Sequence, residues 1–271
     1  MKIGTVSDLS VIRSVEVVPN RVPGKDDLHS ARELLRDYAN VMTCPENPMG
    51  SPGIDPVASL IDITSDTNII PVPHISPRDK NAVHIMSQVL TGLKFGIRNF
   101  FVIGGDRISD KYNSREVREL DVLGTIRTIV NSTSMMKDFV ENVAVGTAFN
   151  PYRENETEFL MKKSEAGSRF FISQILAGSE NVDFAGLKAA GLNVIPGFMP
   201  LKRKSSLEFL EKLGVPKSSP GMRRLSEAED VRGESIKLIL DTYDEIRAHV
   251  RGIHIMSMGD YRTAGEILES V

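Results

Sequence analysis

From end to end the chain alternates short runs of β-branched and aromatic residues with longer segments whose apolar positions recur every three or four residues. The first pattern marks buried strands, and the second marks helices with one apolar face. Strands are predicted at 14–18, 41–43, 69–74, 100–103, 143–148, 170–175, 194–198 and 253–257. The segments between them include "DDLHSARELLRDYA" (26–39), "SPRDKNAVHIMSQVLTGLKFG" (76–96) and "VRELDVLGTIRTIVN" (117–131). In the second of these, Ser76 is placed to cap the helix, with Pro77 at its first position and Asp79 in its first turn. Gly96, Gly167, Gly191 and Gly214 each follow a helical pattern, where a residue of positive φ commonly ends a helix.

Eight β-α units in 271 residues match an α/β fold of one domain, a single (β/α)8 TIM barrel over residues 1–271. A doubly wound open sheet would carry a G-x-G-x-x-G turn after its first strand, and none follows Val18. Two segments break the rhythm. Residues 44–56 are rich in Pro and Gly and read as an insertion over one rim. Residues 214–232 read as a link between a helix at 205–213 and a longer one at 233–250, which gives the barrel an extra helix before its last strand.

The bulk numbers remove several function classes. A net charge of −3 supplies no basic face for nucleic acid. The single cysteine, Cys44, excludes an intrachain disulfide and a multi-cysteine metal cluster, and it reads as a small core residue more readily than as a nucleophile. The start of the chain lacks the basic-then-apolar pattern of a signal peptide, and no run reaches the ~20 apolar residues of a membrane span. A cytoplasmic protein is expected. The five histidines form no H-E-x-x-H pair, and no G-x-S-x-G elbow is present, so neither a metal site nor a serine hydrolase is expected.

In a barrel the polar residues at strand ends are the ones placed to do chemistry. Glu16 sits among valines in "SVEVVPN"; an unpaired buried carboxylate is costly, so it must face a polar site or hold a proton, which makes it a candidate general acid. Thr43 ends the second strand with a hydroxyl, and His74 ends the third in "IIPVPHIS". In "VIGGDRISD" the fourth strand stops at Gly104 and Gly105, which permit close backbone approach, and at Asp106, which adds a charge. Gln174 is an amide in the apolar run "FFISQILA" and needs partners. Lys162 and Lys163 close a helix, where they complement its dipole or reach a phosphate. Such a set of carboxylates, amide and backbone suits an organic cofactor that carries the reaction itself.

Five segments in order, Glu16 in an E-x-x-P context, "PHISPRDKN", "GIRNFFVIGGD", "KKSEAGSRFFISQ" and "IPGFMP", resemble the methylenetetrahydrofolate reductase family over nearly the whole chain. The resemblance implies a flavoprotein barrel holding FAD, with FMN as the alternative. It implies that Glu16 assists protonation of the folate's bridging nitrogen and that Asp106 tunes the flavin and pterin. Thr43, His74, Gly104, Gly105, Asp106, Ala148 and Lys163 then fall on cofactor positions, and Glu16, Gln174, Phe198 and Met256 on substrate positions. The implied reaction reduces 5,10-methylenetetrahydrofolate, or a related methylene-tetrahydropterin, to its 5-methyl form with electrons from NAD(P)H or a redox protein. A homo-oligomer is the expected assembly. The chain departs from the family pattern in three places. Gly104 stands where an Arg or Thr is usual, Arg118 and Glu119 precede Asp121 where a Tyr-Ala pair is frequent, and Met256 and Asp260 stand where an aromatic and an Arg are common. An Asp260 in place of a cation would repel the polyglutamate tail of folate. Two alternatives stay open: a pterin-binding methyltransferase without redox chemistry, and a non-catalytic subunit of a one-carbon complex.

Overall fold

The computed structural model describes residues 4–22, 28–136, 142–179 and 182–271. The elements, in order, are β1 (Ile12–Glu16), α1 (Leu28–Leu35), β2 (Val41–Cys44), α2 (Pro56–Thr64), β3 (Ile70–Ile75), α3 (Ala82–Lys94), β4 (Asn99–Val102), α4 (Val122–Ser134), β5 (Ala144–Phe149), α5 (Glu156–Glu165), β6 (Phe170–Ile175), α6 (Phe184–Ala189), β7 (Val194–Phe198), α7 (Leu207–Lys212), α8 (Pro220–Glu227), α9 (Val231–Ile246), β8 (Gly252–Met256) and α10 (Tyr261–Glu269). Each strand pairs in parallel with the next, and β8 pairs with β1, closing the barrel. The single (β/α)8 barrel expected from the alternation is therefore the fold.

Side-chain alternation along each strand sorts residues between lumen and helix layer. On β1, Val15 points outward into a cluster with Leu28 and Leu35 of α1 and Ile267 and Leu268 of α10. Its neighbours Ser14 and Glu16 point inward, beside Ile12. The lumen below them is filled by Ile12, Val41, Ile70, Val72, Phe101 and Phe170, so it is a packed core rather than a pore. The floor is closed by the N-terminal segment: Val6 packs into this cluster, its N–H donates to Asn99 Oδ1 at 2.8 Å, and Asn99 Nδ2 donates to the carbonyl of Gly4 at 3.3 Å. The buried amide of Asn99 is thereby satisfied, and one end of the barrel is sealed.

Several boundaries differ from the sequence pattern. The helix predicted from 76 begins only at Ala82, with Asn81 as its cap, accepting from the His84 N–H at 2.9 Å. Ser76 instead turns the chain locally, its Oγ accepting from the Arg78 N–H. Asp79 takes a left-handed φ of 66° and donates its N–H to the Val117 carbonyl, and Lys80 bridges to Arg118. Competing loop-to-loop hydrogen bonds have displaced the helix start on both sides, because the helix predicted from 117 likewise begins at Val122 behind the cap Asp121. Gly96, Gly167, Gly191 and Gly214 all take positive φ. The stretch 214–232 is not a plain link. It contains α8, capped by Ser219, so three helices stand between β7 and β8 where two were expected, and the barrel has two extra helices before its last strand rather than one. Residues 26 and 27 of the first predicted helix lie outside the described residues. No helix among the described residues is long and apolar enough to cross a membrane.

Candidate active site at the barrel mouth

At the C-terminal ends of the strands lies a cavity of about 520 Å³. Its wall takes Glu16 from β1, His74 from β3, Phe101 from β4, Gln174 from β6, and His254 and Met256 from β8. Gly104, Gly105 and Asp106 line it from the loop after β4, and Ala148 from the end of β5. Of the residues singled out in the sequence, this one cavity collects Glu16, His74, Gly104, Gly105, Asp106, Ala148, Gln174 and Met256.

Glu16 keeps a small part of its surface open to the cavity and is otherwise enclosed by protein. Burial pushes its pKa up from 4.5 to about 7, and the negative charge of Asp106 adds to the rise. Asp106 itself is exposed at the mouth, where its Oδ2 accepts from the Met49 N–H at 2.7 Å. Its backbone carbonyl accepts from Arg78 Nη1, and the buried Arg78 is held in turn by Asp79 at 2.8 Å. The residue is thus gripped from two loops. Beneath, Gly105 has φ 76°, and a Cβ there would collide with Ser76 Oγ, so this position requires glycine. Gly104 is different. It has ordinary φ, and a Cβ would meet only Val122 Cγ2 at 3.9 Å.

Among the described residues two buried polar atoms lack a hydrogen-bond partner in this region: His74 Nε2, on the wall, and Thr43 Oγ1, behind it. The His74 ring lies tilted on Phe101, 4.8 Å between centroids, and burial followed by the neighbouring His254 pushes its pKa down to about 3. Unmet buried polar atoms are rare and call for a ligand or water. Together with the Gly104 and Gly105 backbone and the apolar wall of Phe101 and Ile172, His74 Nε2 fits the polar edge and apolar faces of a flat heteroaromatic ring such as a flavin.

Three of the expected cofactor and substrate residues sit elsewhere. Thr43 lies just behind the wall, fully buried. Lys163 does not line the cavity: its Nζ donates to Glu156 Oε1 at 2.8 Å and to the Ala148 carbonyl at 2.6 Å, so it braces the end of β5. Burial pulls its pKa down, against the opposing pull of Glu156. Phe198 faces the helix layer, packed in the same outer cluster as Val15, so the placement on a substrate position is corrected by strand parity. Cys44 is buried in that cluster too. Asp260 caps α10 and pairs with Lys202 at 3.2 Å, which offsets the charge expected to repel an anionic tail.

Other wall residues went unread in the sequence. Segment 44–56 lies over the rim, as expected, and contributes Glu46 and Met49. Lys80 Nζ reaches both oxygens of Glu46, at 2.7 and 2.6 Å, while the Ser76 N–H donates to Glu46 Oε2, so the segment is clamped to the loop after β3. Arg21 and Arg153 supply cations at the mouth, and Phe209 and Leu213 cover it from α7 and the residue after it. An alternating pattern in β8, with Ile253 and Ile255 outward, was the signal that could have found His254.

The fold has solved relatives at low identity. An uncharacterised protein from Clostridium thermocellum that binds two copies of 5-methyl-5,6,7,8-tetrahydrofolic acid matches with TM-score 0.68 and 13% identity, over 97% of this chain and 95% of that one. A 2,3-dimethylmalate lyase of the PEP mutase/isocitrate lyase superfamily matches with TM-score 0.53 and 10% identity, over 96% and 80%. An oxaloacetate acetylhydrolase matches with TM-score 0.52 and 10% identity, over 92% and 76%. No curated protein matches the sequence. The family model of methylenetetrahydrofolate reductase matches residues 14–271, from β1 to the end of the chain, and the chain belongs to that family.

Proposed function

We propose that the protein reduces 5,10-methylenetetrahydrofolate, or a related methylene-tetrahydropterin, to the 5-methyl form with a bound flavin, FAD or alternatively FMN. The observation that carries this reading is Glu16, a carboxyl with a pKa of about 7 facing a cavity sized for ring systems. At neutral pH an ordinary glutamate has lost its proton, whereas this one retains it in a large fraction of molecules, as a general acid must. From its carboxyl oxygen the proton passes to the bridging nitrogen of the methylene group, which opens the bridge to the electrophilic iminium. Asp106 keeps that proton available by disfavouring the carboxylate. Gln174, whose Oε1 accepts from the Ile175 N–H at 2.9 Å, orients the pterin with its amide. Phe101, Ile172 and Met199 exclude water around the reacting atoms.

Thr43, His74, Gly104, Gly105 and Ala148 would hold the flavin, with Lys163 supporting it through the Ala148 carbonyl. When bound, a flavin supplies hydride transfer from a reduced donor, a nicotinamide or a redox protein, to the methylene carbon. The reading is supported by the family membership and by the Clostridium thermocellum neighbour, which binds 5-methyltetrahydrofolic acid, the product of the proposed reaction.

The test is the visible spectrum of the purified protein, with the released chromophore identified by mass. A yellow protein bleached anaerobically by reductant and reoxidised by methylenetetrahydrofolate is the expected result. A protein that takes up neither FAD nor FMN overturns the cofactor, and one whose reduced flavin ignores every methylene-pterin overturns the reaction. Glu16→Gln is expected to be reduced by donor at the normal rate and to lose reoxidation by the methylene substrate.

A further inference from the structure

The wall of the cavity contains an imidazole that the proposed reaction does not use. His254 is buried at the centre of β8, directly across from Ser14 in the β1–β8 register, and its Nδ1 lies 2.8 Å from Ser14 Oγ. Ser14 is itself fully buried, and His254 is its hydroxyl's one hydrogen-bond partner among the described residues. That pairing decides which ring nitrogen carries the proton. If Nδ1 carried it, Nδ1 would donate to Ser14 Oγ, and the serine hydroxyl would be left as a buried donor with nothing to accept it. If Ser14 donates to Nδ1, the sealed hydroxyl is satisfied and the ring proton sits on Nε2, which is not among the sealed polar atoms and can meet what fills the cavity. The ring lines the cavity, no described side chain hydrogen-bonds to Nε2, and the same wall contains Glu16, Gln174 and the neutral imidazole of His74 beside apolar residues.

We propose that His254 is a ligand-binding residue, a neutral Nε2–H donor aimed into the barrel mouth with its tautomer set by Ser14. It selects a fused heteroaromatic ring that presents a carbonyl oxygen or an unprotonated ring nitrogen to the floor of the cavity. Burial supports the neutral state by pushing the His254 pKa down to about 3. A neutral donor serves this purpose better than an imidazolium, because it imposes direction without placing a positive charge beside the Glu16 proton. The inference rests on the functional reading above for its ligand, and pterin and flavin both offer the acceptor edge it describes.

The experiment is ¹⁵N–¹H NMR of the histidine rings in uniformly labelled full-length protein. Resonances of His254 and His74 are assigned with His254→Gln and His74→Gln. In the free protein at pH 7 the shifts are expected to show the Nε2–H tautomer for His254, and Ser14→Ala is expected to mix the two tautomers. Adding 5-methyltetrahydrofolate in one arm and FAD in the other identifies the acceptor, since only the ligand that meets His254 moves its Nε2–H signal. His254→Leu is expected to weaken that ligand roughly 3- to 10-fold, the worth of one hydrogen bond, while His254→Gln, which keeps a donor near the same place, retains most of the affinity. Circular dichroism checks that each variant folds. An Nδ1–H tautomer in the native protein overturns the assignment, and so does a His254 signal that stays fixed while other cavity signals respond to both ligands. If neither ligand moves any cavity resonance, the functional reading fails, while the tautomer in the free protein still decides the Ser14–His254 pairing.

Discussion

A glutamate that holds its proton at neutral pH has a signature in folding as well as in turnover. Its pKa is about 7 in the folded chain and 4.5 in the open one, so the folded state binds the proton more tightly. The resulting stabilisation is fully present below pH 4.5 and is lost as pH rises through 7, by about 3 kcal/mol in all. Glu16→Gln removes this dependence. Relative to the parent protein, the variant is expected to gain up to about 3 kcal/mol between pH 4 and pH 8, read from urea midpoints at the two values. A difference that stays flat with pH would mean that Glu16 titrates as in an open chain. The variant is needed because His74 and His254, both held near 3, act in the opposite sense: their contribution is present above 6.5 and is lost as pH falls. In turnover, kcat/KM is expected to decline above pH 7 as the acid is lost. Asp106→Asn removes the like charge, lowers the Glu16 pKa and moves that decline to lower pH; an unmoved limb would show that Glu16 does not sense Asp106. Glu16 is legible in the sequence because a carboxylate among valines is physically conspicuous. His254 is not, because its role depends on a serine 240 positions away that only strand register brings beside it.

At the scale of elements, the site depends on how the loops after β2, β3 and β4 fasten to one another. The Lys80–Glu46 pair is nearly sealed from solvent, with side-chain exposures of 7% and 10%. Lys80→Met leaves a buried carboxylate unpaired and is expected to cost about 3 to 5 kcal/mol, measured by urea unfolding. Surviving folded protein should also bind its ligand more weakly, because Pro48 and Met49 lose their anchorage over the cavity. Gly105→Ala tests the tight turn under Asp106: the left-handed φ alone costs about 1 to 2 kcal/mol, and displacement of Ser76 adds to it. Affinity for the proposed flavin should fall in parallel, and a fully stable variant that binds it as the parent does would remove Gly105 from the cradle. These loops are where sequence reading slipped. Ser76, Pro77 and Asp79 have the residue types of a helix start, yet they lie in a turn stitched to residues 117 and 118, since long-range backbone pairing outweighs local capping preference. Phe198 shows the same limit on a strand, where a one-residue change of parity exchanges cavity for helix layer.

For the whole molecule, the alternation of eight strands with helices was enough to specify the barrel, because each strand must be apolar on its outer face to hold its helix. The closure of its floor was not readable, since it depends on Val6 and Asn99, 93 positions apart. Removing residues 1–8 takes Val6 from the lumen and strips Asn99 of its partners. A loss of about 2 to 4 kcal/mol is expected, with the spectrum of the proposed flavin unchanged because the mouth is at the other end. A spectrum lost in step with stability would mean that the two ends are coupled. The mouth also contains one place where a side chain can be added without disturbing the backbone. Gly104 has ordinary φ and open space around its missing Cβ, and the one native thiol, Cys44, is buried. Gly104→Cys therefore turns the protein into its own reporter: a single reactive sulfur on the cavity wall, to which a fluorophore or spin label can be attached to time ligand arrival and departure directly.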